Sequence, residues 1–359
     1  MSRIITIFIF LNIFVVSCKE GTRPLKSSNS KTDTTKPVAT RALAVNGNID
    51  TGSKLIGATM INTMHRTSVT KKPFKPWRGP FILISKHDTV IQGIDASSMI
   101  LYKCDNVMIK NCRLGPGGKR GITLSQCTNI RIDSCYLHEV PTGVYAENCK
   151  TVSITHCQAR NMRGPFPYGQ FVQFRNVNGG GNRVSFNKFE NILRQSYPED
   201  AISMYKSNGL PNDPIKIENN WIRGGGPSKS GGGIMLGDGG GSNIVAKNNF
   251  LVDPGQYGMA VSGGSFISIV NNTIYAKAAT FTNVGLYYRN YSKLPSSNIC
   301  IAKNALNYTN SKSQLNNTSL GPGDHMPVGW NTNVYKAGLN EAILPANILS
   351  GAIFPSEYQ

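Results

Sequence analysis

The sequence has few acidic residues. Its 359 residues include 19 Asp and Glu against 38 Lys and Arg, a formal net charge of +19. Such a charge attracts nucleic acids, anionic membranes or acidic polysaccharides. The basic residues are dispersed rather than gathered in runs, and the N-terminus carries an export signal, which argues against chromosomal DNA. We therefore expect an acidic extracellular polysaccharide as the partner, and no nucleic acid.

The sequence also lacks an apolar run of membrane-spanning length at its N-terminus. The run Ile4–Val16 is preceded by one charge, Arg3, and is too short for a comfortable span. It ends in Val-Val-Ser-Cys18, which resembles a lipobox. We expect a signal peptide at 1–17, lipid attachment at Cys18 and a flexible Ser/Thr/Lys-rich tether at 18–40. The chain would then lie in the bacterial cell envelope, anchored to the outer membrane; an ordinary secreted protein is the alternative.

Two common kinds of site are missing. Six of the eight cysteines fall in two columns, 104/127/149 and 112/135/157, whose spacing of 22 or 23 residues does not match paired zinc ligands. We expect stacked, buried thiols rather than disulfides. The glycine runs 224–226, 231–233 and 239–241 lack the GxxxxGK[ST] form of a phosphate-binding loop and predict tight turns.

A short frame recurs eight times: an apolar residue, two residues, Cys or Asn, one residue, then an apolar residue or Ala. Its Cys/Asn position recurs every 22 to 33 residues, at Cys112, Cys135, Cys157, Asn187, Asn220, Asn249, Asn272 and Asn304. A short unit with insertions of variable length indicates a solenoid. Stacked Asn side chains at a turn would form an internal hydrogen-bonded ladder.

Each unit has a second strand signature, for example Gly121-Ile-Thr-Leu124 and Gly143-Val-Tyr-Ala146. Alternation places Ile122 and Leu124 inside the coil and Thr123 and Ser125 outside. The pattern resembles the right-handed parallel β-helix of the pectate-lyase-like superfamily. The fold class is therefore all-β, a solenoid of about eight to ten coils with terminal caps. We expect it over 41–306 including an N-terminal cap, with a C-terminal capping segment at 307–359 that contains a helix over 339–349.

Aligning the inward residues of the coils gives outward columns. One contains Arg175, Tyr205 and Gly237, and the next contains Asn176, Lys206 and Asp238. The loops that enter these strands are long and carry Tyr168, Glu199, Asp200, Arg223 and Lys229, and Tyr257 lies on a later coil. Insertions on one side of a solenoid usually build its binding face. The predicted feature is a basic groove with interleaved tyrosines, suited to a linear polyanion.

Cleavage of a uronate polymer by β-elimination needs a group that neutralises the carboxylate, a base and an acid. The segment Glu199-Asp-Ala-Ile-Ser-Met-Tyr-Lys206 resembles the one that holds the catalytic Lys of β-helical alginate and dermatan lyases of family six. The pair of Tyr168 and Lys206 is more similar to the Tyr and Lys of family thirty-one alginate lyases. This resemblance implies a lyase of an acidic polysaccharide, first of all alginate.

In that interpretation Lys206 and Tyr168 act as base and acid in unassigned order, and Arg223 accompanies them. Substrate contacts are expected from Arg175, Tyr205, Asn176, Asp238, Lys229 and Tyr257. No cofactor is expected in the main interpretation. In a second one, taken from family six, Glu199 and Asp200 bind Ca²⁺. The chain is expected to act as a monomer.

Three alternatives remain. A glycoside hydrolase of the same fold, acting on a pectin-like polymer, would use carboxylates among Glu199, Asp200 and Asp238. A mannuronan epimerase shares the proton abstraction, but its Asp-Pro-His-Asp motif is missing. A non-catalytic carbohydrate-binding solenoid would keep the basic groove and show no turnover.

Overall fold

The computed structural model describes residues 74–292 and 294–349. The expected signal peptide at 1–17, the anchor Cys18, the tether at 18–40 and nearly all of the expected N-terminal cap lie outside these residues. In the described part of the chain, no helix is both long enough and apolar enough to cross a membrane.

The described chain is built of short strands with two single-turn 3₁₀ helices near its end. In chain order the strands are β1 (Lys75–Pro76), β2 (Pro80–Ile84), β3 (His87–Gln92), β4 (Ile94–Ala96), β5 (Ser98–Tyr102), β6 (Asp105–Lys110), β7 (Arg113–Leu114), β8 (Ile122–Ser125), β9 (Thr128–Asp133), β10 (Tyr136–His138), β11 (Val144–Glu147), β12 (Lys150–Thr155), β13 (Gln158–Arg160), β14 (Val172–Arg175), β15 (Arg183–Ser185), β16 (Lys188–Glu190), β17 (Ile202–Asn208), β18 (Ile215–Glu218), β19 (Trp221–Arg223), β20 (Ile234–Lys247), β21 (Phe250–Val252), β22 (Tyr257–Val261), β23 (Ser265–Val270), β24 (Thr273–Ala276), β25 (Val284–Tyr288), β26 (Ser297–Ala302), β27 (Ala305–Tyr308), β28 (Thr318–Leu320) and β29 (Val334–Tyr335). The 3₁₀ helices are Trp330–Thr332 and Glu341–Ile343.

The strands stack in parallel, coil upon coil. The first face consists of β2, β5, β8, β11, β14, β17, the start of β20, β22, β25 and β28. The second face runs from β3 to β26 through the end of β20, so this one long strand passes through the corner between the two faces. The third sheet has eleven strands, from β1 to β29. Ten strands on the first face correspond to ten coils, and the predicted parallel β-helix is confirmed.

Alternation along each strand decides which side chains fill the coil. Ile122 and Leu124 are completely buried, whereas Thr123 and Ser125 between and after them are partly exposed. Val144 and Ala146 repeat the pattern on β11, in register with β8. Each coil therefore buries its own apolar residues against those of the coils above and below, and burial of such a side chain contributes roughly 1.5–3 kcal/mol.

The recurrent Cys/Asn position forms the predicted internal ladder. The backbone N–H of Asn187 donates to Oδ1 of Asn220 at 3.1 Å, and the Asn220 side chain donates onward to Oδ1 of Asn249 at 2.9 Å. Asn272 and Asn304 continue the series to Asn333, one step beyond the predicted repeat. The six cysteines of the two columns are buried and free, as predicted.

The C-terminal region differs from the prediction. The coils do not end at Leu306, because β28 and β29 pair with β25 and β27 and add strands to the first face and the third sheet. Residues 339–349 form only the single turn Glu341–Ile343 instead of the predicted helix. This segment lies along the third sheet: the side chain of Asn307 donates to the carbonyl of Leu339 at 2.8 Å, and Arg223 holds it further along.

Candidate active site

A cleft of about 400 Å³ opens on the first face, over β11, β14, β17 and the start of β20. Its floor comes from the outward residues of the strands, and its walls come from the loops that lead into them. The lining residues are Arg120, Tyr145, Phe166, Pro167, Tyr168, Gln170, Gln173, Arg175, Glu199, Asp200, Ser203, Tyr205 and Asp238. We call this cleft the carboxylate pocket, because three of these side chains are acidic.

A bulge in β20 brings Asp238 into the carboxylate pocket. Ser203 pairs with Met235, but Tyr205 pairs with Asp238, so β20 contains one extra residue at this point. The predicted alignment of Tyr205 with Gly237 was therefore wrong. Gly237 has a φ of +67°, and a Cβ there would lie 2.2 Å from the carbonyl oxygen of Gly263, so only glycine fits this position. The bulge turns the Asp238 side chain outward beside Tyr205.

Asp200 is the most perturbed carboxyl group of the carboxylate pocket. Its Oδ1 accepts a short hydrogen bond from the hydroxyl of Tyr257 and one of 3.1 Å from the backbone N–H of Gly232. Burial raises the pKa of Asp200 to about 7, although both hydrogen bonds act in the opposite direction. Both of these bonds go to Oδ1, and the Asp200 side chain lines the cleft.

The carboxyl group of Asp238 has different neighbours from that of Asp200. Burial also raises its pKa, but the backbone N–H of Gly239 and the charge of Lys206 both act to lower it. Lys206 thus stabilises the ionised form of Asp238 from the side of the cleft. Two carboxyl groups in one cleft, with different partners, can hold different protonation states at the same pH.

Glu199 is fixed by the loop that precedes β20. Its two carboxylate oxygens accept hydrogen bonds from the hydroxyls of Ser228, at 2.6 Å, and Ser230, at 2.8 Å. A Ca²⁺ ion bound by Glu199 would compete with these two hydroxyl donors. Within the described ranges, no group of three or more His, Cys, Asp or Glu side chains is arranged to hold a metal ion.

Two arginines face the carboxyl groups across the cleft. The Arg120 guanidinium lies 3.7 Å above the centre of the Tyr145 ring, and its buried Nε has no hydrogen-bond partner. Arg175 donates to the Tyr145 hydroxyl at 3.4 Å and forms an ion pair with Glu147 at 3.4 Å. Because Arg175 has a carboxylate partner and Arg120 has none in the described chain, Arg120 carries the uncompensated positive charge of the cleft.

Tyr168, Arg175, Tyr205 and Asp238, all predicted from the sequence, come together in the carboxylate pocket. Lys206 lies at its edge. It lies within β17, at a corner where its φ is +48°; its side chain is exposed, and its ammonium group lies 5.2 Å from the centre of the Tyr205 ring. The predicted base therefore borders the cleft without lining it.

Four predicted residues lie elsewhere. Asn176 belongs to the corner column, where it donates to Asn148 at 2.6 Å, and Lys229 is exposed in the loop beside the cleft. Tyr257 is only 1% exposed, so it positions Asp200 and is not a surface for sugar stacking. Arg223 was placed wrongly: it ends β19 in the third sheet and donates to the carbonyls of Glu341 and Leu344, at 2.7 Å each.

The sequence prediction missed Arg120, Tyr145 and Gln173. Tyr145 and Gln173 are the second residues of β11 and β14, and they form an outward column with Thr123 and Ser203. The alternation that places Thr123 outside extends to Tyr145 and Gln173, which lie two residues before the predicted column of Glu147 and Arg175. Arg120 comes from the loop before β8, which no long insertion distinguishes.

Comparison with known proteins supports the architecture. A family model described as a right-handed β-helix region matches residues 97–274. The predicted right-handed parallel β-helix is therefore confirmed. No curated protein matches the chain.

Several solved structures are similar to this chain at low identity. A DFA-IIIase from Arthrobacter chlorophenolicus A6, without its lid and in complex with GF2, is 13% identical with a TM-score of 0.40, covering 70% of this chain and 57% of its own. A tailspike protein mutant of E. coli bacteriophage HK620 with a bound pentasaccharide is 10% identical with a TM-score of 0.45, covering 74% and 59%. The catalytic domain of a GH87 α-1,3-glucanase in complex with tetrasaccharides is 12% identical with a TM-score of 0.37, covering 83% and 70%. This chain thus spans less than two thirds of the first two structures, and none of these similarities bears on its function.

Proposed function

We propose that this chain is a carbohydrate-active enzyme that hydrolyses glycosidic bonds of an acidic polysaccharide in the carboxylate pocket. The observation that carries the proposal is the pairing of Asp200, whose pKa burial raises to about 7, with Asp238 in the same cleft. Glycoside hydrolysis needs one protonated carboxylic acid and one carboxylate around the scissile bond. Asp200 is the candidate acid, and the charge of Lys206 favours the ionised form of Asp238.

In the proposed reaction Asp200 is the general acid. It transfers its proton from Oδ2 to the glycosidic oxygen as the bond to the anomeric carbon breaks. Asp238 takes one proton from a water molecule, whose oxygen forms the new bond to the anomeric carbon. Asp238 then releases that proton and Asp200 takes one up from solvent, so atoms and charge balance. Tyr257 and Gly232 keep Asp200 in position throughout, because both bonds go to Oδ1.

The acidic nature of the substrate rests on Arg120. The Arg120 guanidinium lines the cleft without a carboxylate partner in the described chain, and a carboxylate or sulfate group of a bound sugar would supply one. The Tyr145 ring below the guanidinium fixes its plane. Arg175 and Tyr168 flank the same space.

The lyase predicted from the sequence is the second candidate. Tyr168 and Arg175 lie in the same cleft, where they can supply a proton-transferring phenol and a cation that neutralises a uronate. Lys206 would have to swing from the corner of β17 into the cleft to serve as base. The two candidates form different products and can be separated in one experiment.

The test is a panel of acidic and neutral polysaccharides incubated with purified protein, with two readouts. New reducing ends report any cleavage, and ultraviolet absorbance reports the unsaturated uronate ends that only β-elimination produces. We expect reducing ends on an acidic polymer without a rise in absorbance. A rise in absorbance abolished by Lys206→Ala would overturn the hydrolase in favour of the lyase.

Substitutions of the two carboxyl groups test their proposed catalytic roles. Asp200→Asn and Asp238→Asn should each lower kcat by a factor of about 10²–10⁴, the usual contribution of general acid–base catalysis. Asp88→Asn is the matched control, because Asp88 is exposed near the N-terminal end of the solenoid and lies outside the cleft. If the wild type binds the polymer but does not cleave it, the hydrolase is wrong and the chain is a non-catalytic carbohydrate-binding solenoid.

We also propose that the enzyme works as a monomer held at the outer membrane through a lipid on Cys18. The lipobox-like sequence at 15–18 is the support for this proposal. Replacing Cys18 with Ser should release the protein from the membrane fraction of cells that produce it. Retention of the Cys18→Ser protein in that fraction would count against the anchor.

A further inference from the structure

A second cleft, of about 320 Å³, lies nearer the C-terminal end of the solenoid. Tyr287, Arg289 and Tyr291 line one part of it, and residues 319–322 line another. The proposed reaction uses none of these residues. We call it the distal cleft.

The distal cleft lies on the same face as the carboxylate pocket. The register connects Ser203 with Met235, Met235 with Ala260 and Ala260 with Tyr287, one coil at a time. Tyr287 therefore belongs to the outward column of Tyr145 and Gln173. Three coil steps separate Ser203 from Tyr287, which corresponds to about 14 Å at the usual strand spacing.

Small residues occupy the floor between the two clefts. Ala260 and Ser262 are buried, and Gly263 and Gly264 follow them at the corner. Met235 is folded down against Tyr257 and does not stand out from the face. Because Ala260 and Ser262 have almost no exposed surface, a polymer that joins the two clefts would pass above them and contact the side chains beside them, such as Tyr287 and Arg289.

The chemistry of the distal cleft suits an anionic sugar. The Arg289 guanidinium lies 4.8 Å from the centre of the Tyr291 ring, and within 74–292 and 294–349 it has no ion pair. Tyr291 is 62% exposed and offers a ring on which a sugar can stack. The side chain of Asn290 orders the turn that presents Tyr291, since its Oδ1 accepts from the N–H and the hydroxyl of Ser292 at 3.0 and 2.8 Å.

We propose that the distal cleft is a second binding site for the same acidic polysaccharide, occupied by sugar units that extend from the carboxylate pocket along the solenoid axis. This inference rests on the proposed function and adds to it that the preferred substrate is a long polymer. Since one sugar unit has about the length of one coil step, roughly three units bridge the two clefts. A tetrasaccharide cleaved at its central bond places only two units on the side of the distal cleft, one fewer than the roughly three that bridge the two clefts.

The test compares Arg289→Gln and Tyr291→Ala with the wild type on a tetrasaccharide and on long chains of the cleaved polymer. Each substitution should raise KM for the long chains about tenfold, the effect expected for the loss of one charge-assisted or stacking contact. The KM for the tetrasaccharide should stay unchanged in both variants. Arg131→Gln is the matched control, because Arg131 is equally exposed but lies on the second face.

A second measurement does not depend on turnover. The affinity of the Asp200→Asn protein for long chains should fall about tenfold when Arg289→Gln is added, and its affinity for the tetrasaccharide should not change. Equal KM values of variant and wild type on long chains, with normal activity on the tetrasaccharide, would overturn the distal site and leave the hydrolase intact. Absence of cleavage by the wild type, with length-dependent binding that requires Arg289, would overturn the hydrolase and leave the distal site.

Discussion

At the scale of single residues, the environment of a carboxyl group matters more than its identity. Glu199, Asp200 and Asp238 lie within one cleft but have different partners: two serine hydroxyls, a buried tyrosine with a backbone N–H, and a backbone N–H with a nearby ammonium group. The sequence places the first two side by side. Burial, together with bonds from the Tyr257 hydroxyl 57 residues further along the chain and from the Gly232 N–H, distinguishes Asp200 from its neighbour.

Asp200 should impose a pH dependence on both stability and activity. Its pKa is raised from 3.8 to about 7 in the folded protein, so the folded state holds a proton that the unfolded state releases. Stability should therefore fall as pH rises from about 4 to 7, by up to about 4 kcal/mol for this group alone. Urea unfolding across this range should show a smaller fall for Asp200→Asn than for the wild type.

The activity of the wild type should fall on the alkaline side as pH passes about 7, because the general acid loses its proton. The pH profile of kcat/KM on the cleaved polymer measures this limb. Asp88→Asn should leave both profiles unchanged. An alkaline limit far above 7 would show that another group supplies the proton.

At the scale of the elements, hydrogen bonds between coils hold the solenoid. Asn220 donates to the carbonyl of Val184 at 2.8 Å and accepts from the backbone N–H of Asn187 at 3.1 Å. Asn220→Leu would leave both backbone groups buried without partners, and we expect a loss of about 2–5 kcal/mol. Denaturant unfolding measures it. Asn212→Ala, at an exposed turn, should change stability by less than about 0.5 kcal/mol.

The bulge of β20 should couple local backbone geometry to activity. In Gly237→Ala the new Cβ would meet the carbonyl of Gly263, so the bulge must shift and carry Asp238 with it. We expect lower stability and at least about a tenfold loss of kcat, because displacing a catalytic group by about 1 Å can cost 10²-fold. Gly93→Ala is the control: its φ of +68° matches, but a Cβ there meets nothing within 4 Å. If both variants keep full activity, the bulge does not position Asp238.

At the scale of the whole molecule, Arg223 joins two distant parts of the chain. Its guanidinium donates to the carbonyls of Glu341 and Leu344, and Leu344 and Leu349 are buried there. Arg223→Gln should leave kcat on short oligosaccharides unchanged. It should loosen the C-terminal segment, because hydrogen bonds from a charged donor contribute about 1.5–3 kcal/mol.

Limited proteolysis followed by mass spectrometry should show faster cleavage within 336–349 for Arg223→Gln than for the wild type. Arg131→Gln, which removes the same charge from the second face, should not change the cleavage rate. If Arg223→Gln abolishes catalysis without changing the proteolysis pattern, Arg223 has the catalytic role predicted from the sequence.

The sequence alone determined the fold and the face on which the cleft lies. The Cys/Asn frame and the alternation of Ile122 and Leu124 repeat at a nearly constant period, and each signal is local, so it survives without knowledge of any long-range contact. It also placed Arg175 and Tyr205 side by side in one cleft, because residues in register on a stack of coils are neighbours.

Tertiary structure alone decided the rest. The bulge at Gly237 shifted Asp238 by one residue, and one residue reverses the side of the sheet to which a side chain points. The burial of Tyr257, the free guanidinium of Arg120 and the contact of Arg223 with the C-terminal segment depend on loops between coils. Such loops have no period. Their paths are set by packing against residues far away in the chain, and that information is absent from any local pattern.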